Sequence, residues 1–374
     1  MIRNFAPGQR QAFEACIQDA VSYMILFSKA REHPKAPLLF NGLIANASMF
    51  VVESNRCLTT LFPELRDVLS QIHVELLHAS RHRAKLLDHT EKTIEGLTGE
   101  LVRIAKDQRK KSLEPHKGLL GPLKRTLQPD MGLSIYDGHI FTTTHSTIFE
   151  FGGDFELTAK SFAFGEAIGF YTASLLNLFR IEIPSIVKPA DLPGNIEMRD
   201  IKYEALFNRG QLGATRMDFS AGLILILANL NFAHYILSGL LPSNSHALLR
   251  MKFITAFHAN SNINLMQSRL MASKLGNTKN IEGFFREALG NTDSRWLRRQ
   301  RRLRNLLTHY LPDAQMASEF QVDTTRMNAI QKMGGGLSFD EINALLNRNI
   351  GHLSGLLESG FNLTGDPFWY GKVT

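Results

Sequence analysis

Residues 294 to 310 read Ser-Arg-Trp-Leu-Arg-Arg-Gln-Arg-Arg-Leu-Arg-Asn-Leu-Leu-Thr-His-Tyr, a run in which guanidinium, amide and imidazole groups recur at short intervals. On a single helix turning ~100° per residue, Arg298, Arg302, Asn305 and His309 follow at steps of four, three and four and share one face. Trp296, Leu303, Leu307 and Tyr310 form an apolar stripe on another. An imidazole among guanidinium and amide groups suits metal-free RNA cleavage: histidine takes the proton of a 2′-hydroxyl while arginine stabilises charge on the scissile phosphate. The arginines at 295, 298, 299, 301, 302 and 304 also read as a phosphate-binding stripe, in a chain whose formal net charge is +7.

This constellation resembles the HEPN superfamily, helical-bundle domains whose ribonuclease members carry Arg, four to six residues, then His, very often with Asn straight after the Arg. Those positions are Arg304, Asn305 and His309 here, on a late helix with one more helix after it. As architecture the resemblance covers residues 159–360; as sequence it covers the six motif residues. It implies a metal-independent endoribonuclease acting on RNA as a homodimer, with His309 as general base, no metal and no cofactor. It also implies a setting in antiviral defence or a toxin system, with an antitoxin or other regulatory partner, and a facing helix, Ala247–Leu275, that offers His258 and Asn262, then Arg269, to the substrate. Two features depart from the pattern. Arg304 and His309 lie ~140° apart on a regular helix, which leaves Arg302 as the alternative phosphate ligand. Tyr310 follows the histidine directly rather than two residues on. The competing readings are a non-catalytic RNA- or nucleotide-binding helical protein that uses the arginine stripe alone, and a purely structural one.

The elements that must position these groups are mostly helical. Apolar residues at three- and four-residue steps predict helices over residues 9–29, 41–61 and 63–109, then 159–180, 220–240, 247–275, 280–311 with a break at Gly290, and 338–358. Ser338 and Glu341 have the spacing of a capping box. Glycine and proline between Glu114 and Asp130 mark a linker, and Asp137-Gly138 between apolar runs predicts a β-hairpin with a third strand at Thr147–Phe151. The expected architecture is all-α: an N-terminal helical region (1–115), a linker and small hairpin (116–158, the hairpin near 133–151), and a HEPN-like bundle (159–374).

Composition narrows the class further. With 44% hydrophobic and 21% charged residues the chain reads as globular, and two cysteines, Cys16 and Cys57, exclude a disulfide framework and a thiolate zinc site. The start of the chain, where Arg3, Arg10, Glu14 and Asp19 interrupt the apolar residues, lacks the centre of a signal peptide. A cytoplasmic location without membrane contact is expected. Phe219–Leu249 carries no charged residue, but Asn229, Asn231 and His234 interrupt it and no second span is expected beside it, so it reads as a buried core helix. No phosphate-binding loop, dinucleotide fingerprint or metalloprotease motif occurs.

Overall fold

The computed structural model describes residues 5–69, 94–113, 128–151, 157–182, 192–272, 279–312, 316, 320 and 325–364. It is mostly helical with one small antiparallel sheet. Helices α1 (Pro7–Glu32) and α2 (Ala36–Leu61) pack against each other across a three-residue connection. Proline punctuates both, since Pro7 and Pro37 fall in first turns, where a missing N–H breaks no intrahelical bond, and Pro63 follows the end of α2. Much of the expected helix over 63–109 lies outside the described residues; its far end is α3 (Ile94–Leu113).

Strands β1 (Met131–Tyr136) and β2 (His139–Thr143) form the expected hairpin, with Asp137 and Gly138 both at positive φ, as a tight two-residue turn requires. The strand expected at Thr147–Phe151 is instead helical, within α4 (Thr144–Glu150). Here Thr143 Oγ1 accepts from Ser146 N at 3.0 Å and Ser146 Oγ accepts from Thr143 N, a reciprocal cap that starts a helix in spite of the β-branched run. The third strand is β3 (Ile196–Ile201), which pairs with the other edge of β1 to give the order β2-β1-β3. It is an edge strand whose charged residues Glu197, Arg199 and Asp200 hid it from a reading based on apolar runs.

Besides short helical turns at Arg66–Leu69, Tyr203–Phe207 and Gly210–Gly213, the further described helices are α5 (Leu157–Leu178), α6 (Met217–Asn231), α7 (His246–Ala272), α8 (Lys279–Gly290), α9 (Thr292–Arg299), α10 (Arg301–Thr308), α11 (Arg326–Met333) and α12 (Phe339–Gly360). The break at Gly290 and the Ser338–Glu341 capping box fall where the spacing predicts them. Helix α6 is the centre: β2, α3, α7 and α12 surround it, which is why it is apolar on every side rather than along one stripe. It continues through a π-helical turn at Phe232–Ile236 into Leu237–Leu240. Among the described residues two helices could cross a membrane by length and composition, Ala36–Leu61 and Met217–Leu240, so the expectation of a single such segment is corrected. The first was overlooked because Asn41, Asn46 and Glu53 interrupt it; the second is the buried middle of the fold.

His145 on α4 is 2% exposed, with its ring beside Tyr203 and Phe207. Burial pushes its pKa down to about 4. A histidine whose folded pKa lies below its unfolded value of ~6.5 is neutral in the fold while the unfolded chain takes up a proton, so its contribution is full above pH 6.5 and is lost as pH falls toward 4. Urea denaturation of the wild type and His145→Leu should therefore show the wild type losing about 2 kcal/mol relative to the variant between pH 7 and pH 5. A stability difference that does not change with pH would show that His145 is not held neutral.

Candidate functional site

The arginine-rich segment is not one helix. At Gln300 (φ −87°, ψ 45°) the chain leaves α9 and starts α10, with Gln300 N–H bonded to Leu297 O at 3.0 Å. In the amide orientation that satisfies its neighbours, Gln300 accepts from the Trp296 indole N–H and donates to Met333 O. The break has a packing reason. On a continuous helix Leu297 would lie ~180° from Leu306, yet both are fully buried, so the chain must turn between them to put both in the core.

Helix α10 then ends against buried charge. The last four carbonyls of a helix lack intrahelical donors, and here three of them are capped by arginine. Arg326 donates to Leu306 O at 2.6 Å, Arg250 Nε to Leu307 O at 2.6 Å, and Arg250 Nη2 to Thr308 O at 3.2 Å. The Arg250 guanidinium also donates to Asp19 of α1 and to the Tyr310 hydroxyl, which in turn donates to Asp19 at 2.6 Å. Burial alone would lower the Arg250 pKa, but Tyr310 and Asp19 outweigh it and raise it, so the guanidinium stays charged. Held in this way, the chain turns extended at His309 (φ −105°, ψ 135°), whose N–H closes onto Asn305 O.

The turn delivers His309 to α2. Its Nδ1 lies 2.9 Å from Oε2 of Glu53; the Glu53 side chain is 2% exposed and that of His309 32%. A carboxylate can only accept, so with Glu53 ionised it is Nδ1 that donates, and a neutral ring then has its lone pair on Nε2. The dyad sits in a pocket of about 410 Å³. Glu53, Arg56, Cys57 and Thr60 line it from α2; Asn305, His309 and the following Tyr310, Leu311 and Pro312 line it from the end of α10, together with Met316. Arg56 is exposed, and among the described residues no acidic side chain pairs with it. An oriented imidazole, a guanidinium and an amide around one cavity could deprotonate a hydroxyl and hold an anion.

The residues named from sequence distribute unevenly. Asn305 and His309 meet in the pocket, whereas Arg304 does not line it: its guanidinium lies over the Phe257 ring of α7, 5.6 Å from the centroid. His258, half-buried, stands edge-on to that same ring, and Asn262, one turn further along α7, is buried. Arg298 is taken up by the fold, donating to Asn264 Oδ1 and to Leu289 O, each at 2.8 Å. Since the break at Gln300 separates Arg298 from Asn305, the single face expected to unite Arg298, Arg302, Asn305 and His309 does not exist. Arg302 is exposed on α10, and Arg301, one turn before Asn305, is exposed as well. Sequence reasoning missed Glu53 and Arg56. Their one signal is a pair of charged residues, three positions apart, inside an otherwise apolar helix.

No protein-family model, curated protein or solved structure matches the chain.

Removing Asp19 strands Arg250 as a buried cation without its carboxylate. Asp19→Ala should destabilise the protein by about 3–5 kcal/mol in urea denaturation, and the double variant Asp19→Leu/Arg250→Met by clearly less than the two single changes combined. Additive losses would mean that the two side chains do not act as a pair.

Proposed function

We propose that the pocket between α2 and the end of α10 is the active site of a metal-independent endoribonuclease of HEPN type, in a cytoplasmic protein. The observation that carries this reading is the His309–Glu53 pair, an imidazole oriented by a buried carboxylate beside a guanidinium with no acidic partner among the described residues. His309 Nε2 accepts the proton of a ribose 2′-hydroxyl, and the 2′-oxygen attacks the adjacent phosphorus. The bond to the 5′-oxygen breaks, leaving a 2′,3′-cyclic phosphate, and the departing 5′-oxygen takes a proton from water. Arg56, with Asn305, stabilises charge on the phosphate oxygens, the part that the motif alone assigned to Arg304 or Arg302. The exposed Arg295, Arg299 and Arg301 supply a track for the polyanion on either side of the cleavage point.

The helical bundle, with the motif on a late helix, supports the HEPN comparison; two helices, α11 and α12, follow the motif where the resemblance implies one. The participation of α2 and the position of Arg304 on Phe257 set this site apart from a motif confined to one helix. A two-fold dimer that brings two pockets to one RNA belongs to the same reading, and sedimentation velocity should give twice the chain mass. A monomer that cleaves RNA would remove the dimer from the proposal and leave the site.

The decisive assay is cleavage of single-stranded and structured RNA in EDTA. His309→Ala should lower the rate by about a hundredfold or more with RNA affinity nearly unchanged, and Glu53→Gln should lower it by at least about tenfold, because the imidazole loses its fixed tautomer. Arg56→Ala should cost more in rate than in affinity. Arg304→Ala and Arg302→Ala measure the alternative assignment in the same assay. Salt-dependent binding of RNA without cleavage would overturn the enzyme reading in favour of a binding protein.

A further inference from the structure

The chain has two cysteines, 41 positions apart, and they meet. Cys16 on α1 and Cys57 on α2 are both free thiols, both buried, and their side chains interact directly. The antiparallel register of the two helices brackets them: on one side Tyr23 stacks on Phe50 with ring centroids 4.4 Å apart and donates to Asn46 O, and on the other Phe13 meets Phe62 at 5.6 Å. A disulfide needs close approach, with Cα atoms usually ~4.4–6.8 Å apart, and the register places the two cysteines opposite each other. Both thiols are buried, but only Cys57 borders the pocket. Cys57 lines the wall of the solvent-connected pocket that holds His309 and Glu53, one helical turn beyond Glu53. Cys16 lies behind it, fully buried, near Asp19 and Arg250.

We propose that Cys57 and Cys16 form an intramolecular disulfide when a peroxide reaches the pocket, making this pair an oxidation site built into the wall of the cavity. The Cys57 sulfur attacks one oxygen of the peroxide, the O–O bond breaks, and water leaves a sulfenic acid on Cys57. The Cys16 sulfur then attacks the Cys57 sulfur, the S–O bond breaks, and the hydroxide departs as water with the Cys16 proton. Two thiols are oxidised to one disulfide, and one hydrogen peroxide is reduced to two waters. Burial pushes the Cys16 thiol well above its ordinary pKa, which makes it a poor first nucleophile toward a peroxide. The order of events follows from access: the pocket admits the oxidant to Cys57, and only the condensation reaches Cys16. Closing the bond ties α1 to α2 across a 41-residue separation and draws the Cys57 side chain away from the cavity, next to the turn that carries Glu53.

The inference does not depend on the nuclease reading, and its test needs no activity. The full chain, folded and reduced, is treated with hydrogen peroxide at increasing ratio and analysed without reductant by intact mass, peptide mapping and thermal unfolding. The expected product is a monomeric chain lighter by two hydrogens, a digest that joins the Cys16 and Cys57 peptides, and a Tm raised by several degrees, all reversed by dithiothreitol. In Cys16→Ser the reaction should stop at a Cys57 sulfenic acid that a dimedone probe captures. In Cys57→Ser the remaining thiol should resist oxidation in the folded state. Gain of two or three oxygens on Cys57 in the wild type, a disulfide between two chains, or two thiols that stay reduced until the protein unfolds would each overturn the proposal. Because the wild-type measurements stand alone, they decide the matter even where a serine variant folds poorly.

Discussion

The carbonyl end of a helix sunk into a protein is a local excess of negative charge, and at α10 it is answered by Arg250, a guanidinium that is itself almost wholly buried. Neither is tolerable alone. The cation needs Asp19 and the carbonyls to offset its lost hydration; the carbonyls need donors that water cannot reach. Asp19 comes from α1, Arg250 from α7 and the carbonyls from α10, so a single electrostatic requirement fixes three elements that the sequence scatters over some three hundred residues. The tyrosine after His309 enters the same cluster with its hydroxyl on Asp19. His309 is thereby held between a capped helix end and an anchored neighbour, and its ring is left one direction in which to point.

That direction is toward Glu53. A buried carboxylate behind a partly exposed imidazole has two physical effects: it selects the ring tautomer, and it stabilises the imidazolium that forms once a proton has been taken. The Phe257 contact of Arg304 belongs to a different economy, in which a guanidinium covers an aromatic face and its charge stays at the bundle surface. Two arginines six positions apart in the motif segment, Arg298 and Arg304, thus end in packing and hydrogen bonding with α7, while the guanidinium at the pocket comes from the N-terminal half of the chain.

The helical character, the hairpin at Asp137-Gly138, the break at Gly290 and the cap at Ser338 were legible because each rests on local chemistry: periodicity, a turn that demands positive φ, a residue that weakens a helix, a side chain that closes on its own backbone. The misread strand at Thr147 failed on the same ground, since β-branched residues argue for a strand only until a capping box competes with them. Of the residues that line the candidate pocket, Asn305 and His309 were legible too, as they lie on one short stretch. Glu53 and Arg56 were not, because nothing in α2 marks them as neighbours of residues about 250 positions away; only the tertiary requirement around Arg250 sets that distance. The break at Gln300 was likewise hidden, for it is dictated by where the core lies and not by any helix-breaking residue.

The enclosure of α6 has a consequence for how the protein is made. Its covers come from both directions along the chain: α3 and β2 are already synthesised when α6 emerges, but α12 follows it by roughly a hundred residues. At translation rates of about 5–20 residues per second that delay is some 5–20 seconds, whereas a helix forms in about a microsecond. For that interval a helix long and apolar enough to enter a bilayer stands beside the ribosome with one face bare. The route to the enclosed state of α6 therefore runs through whatever covers that face until α12 arrives.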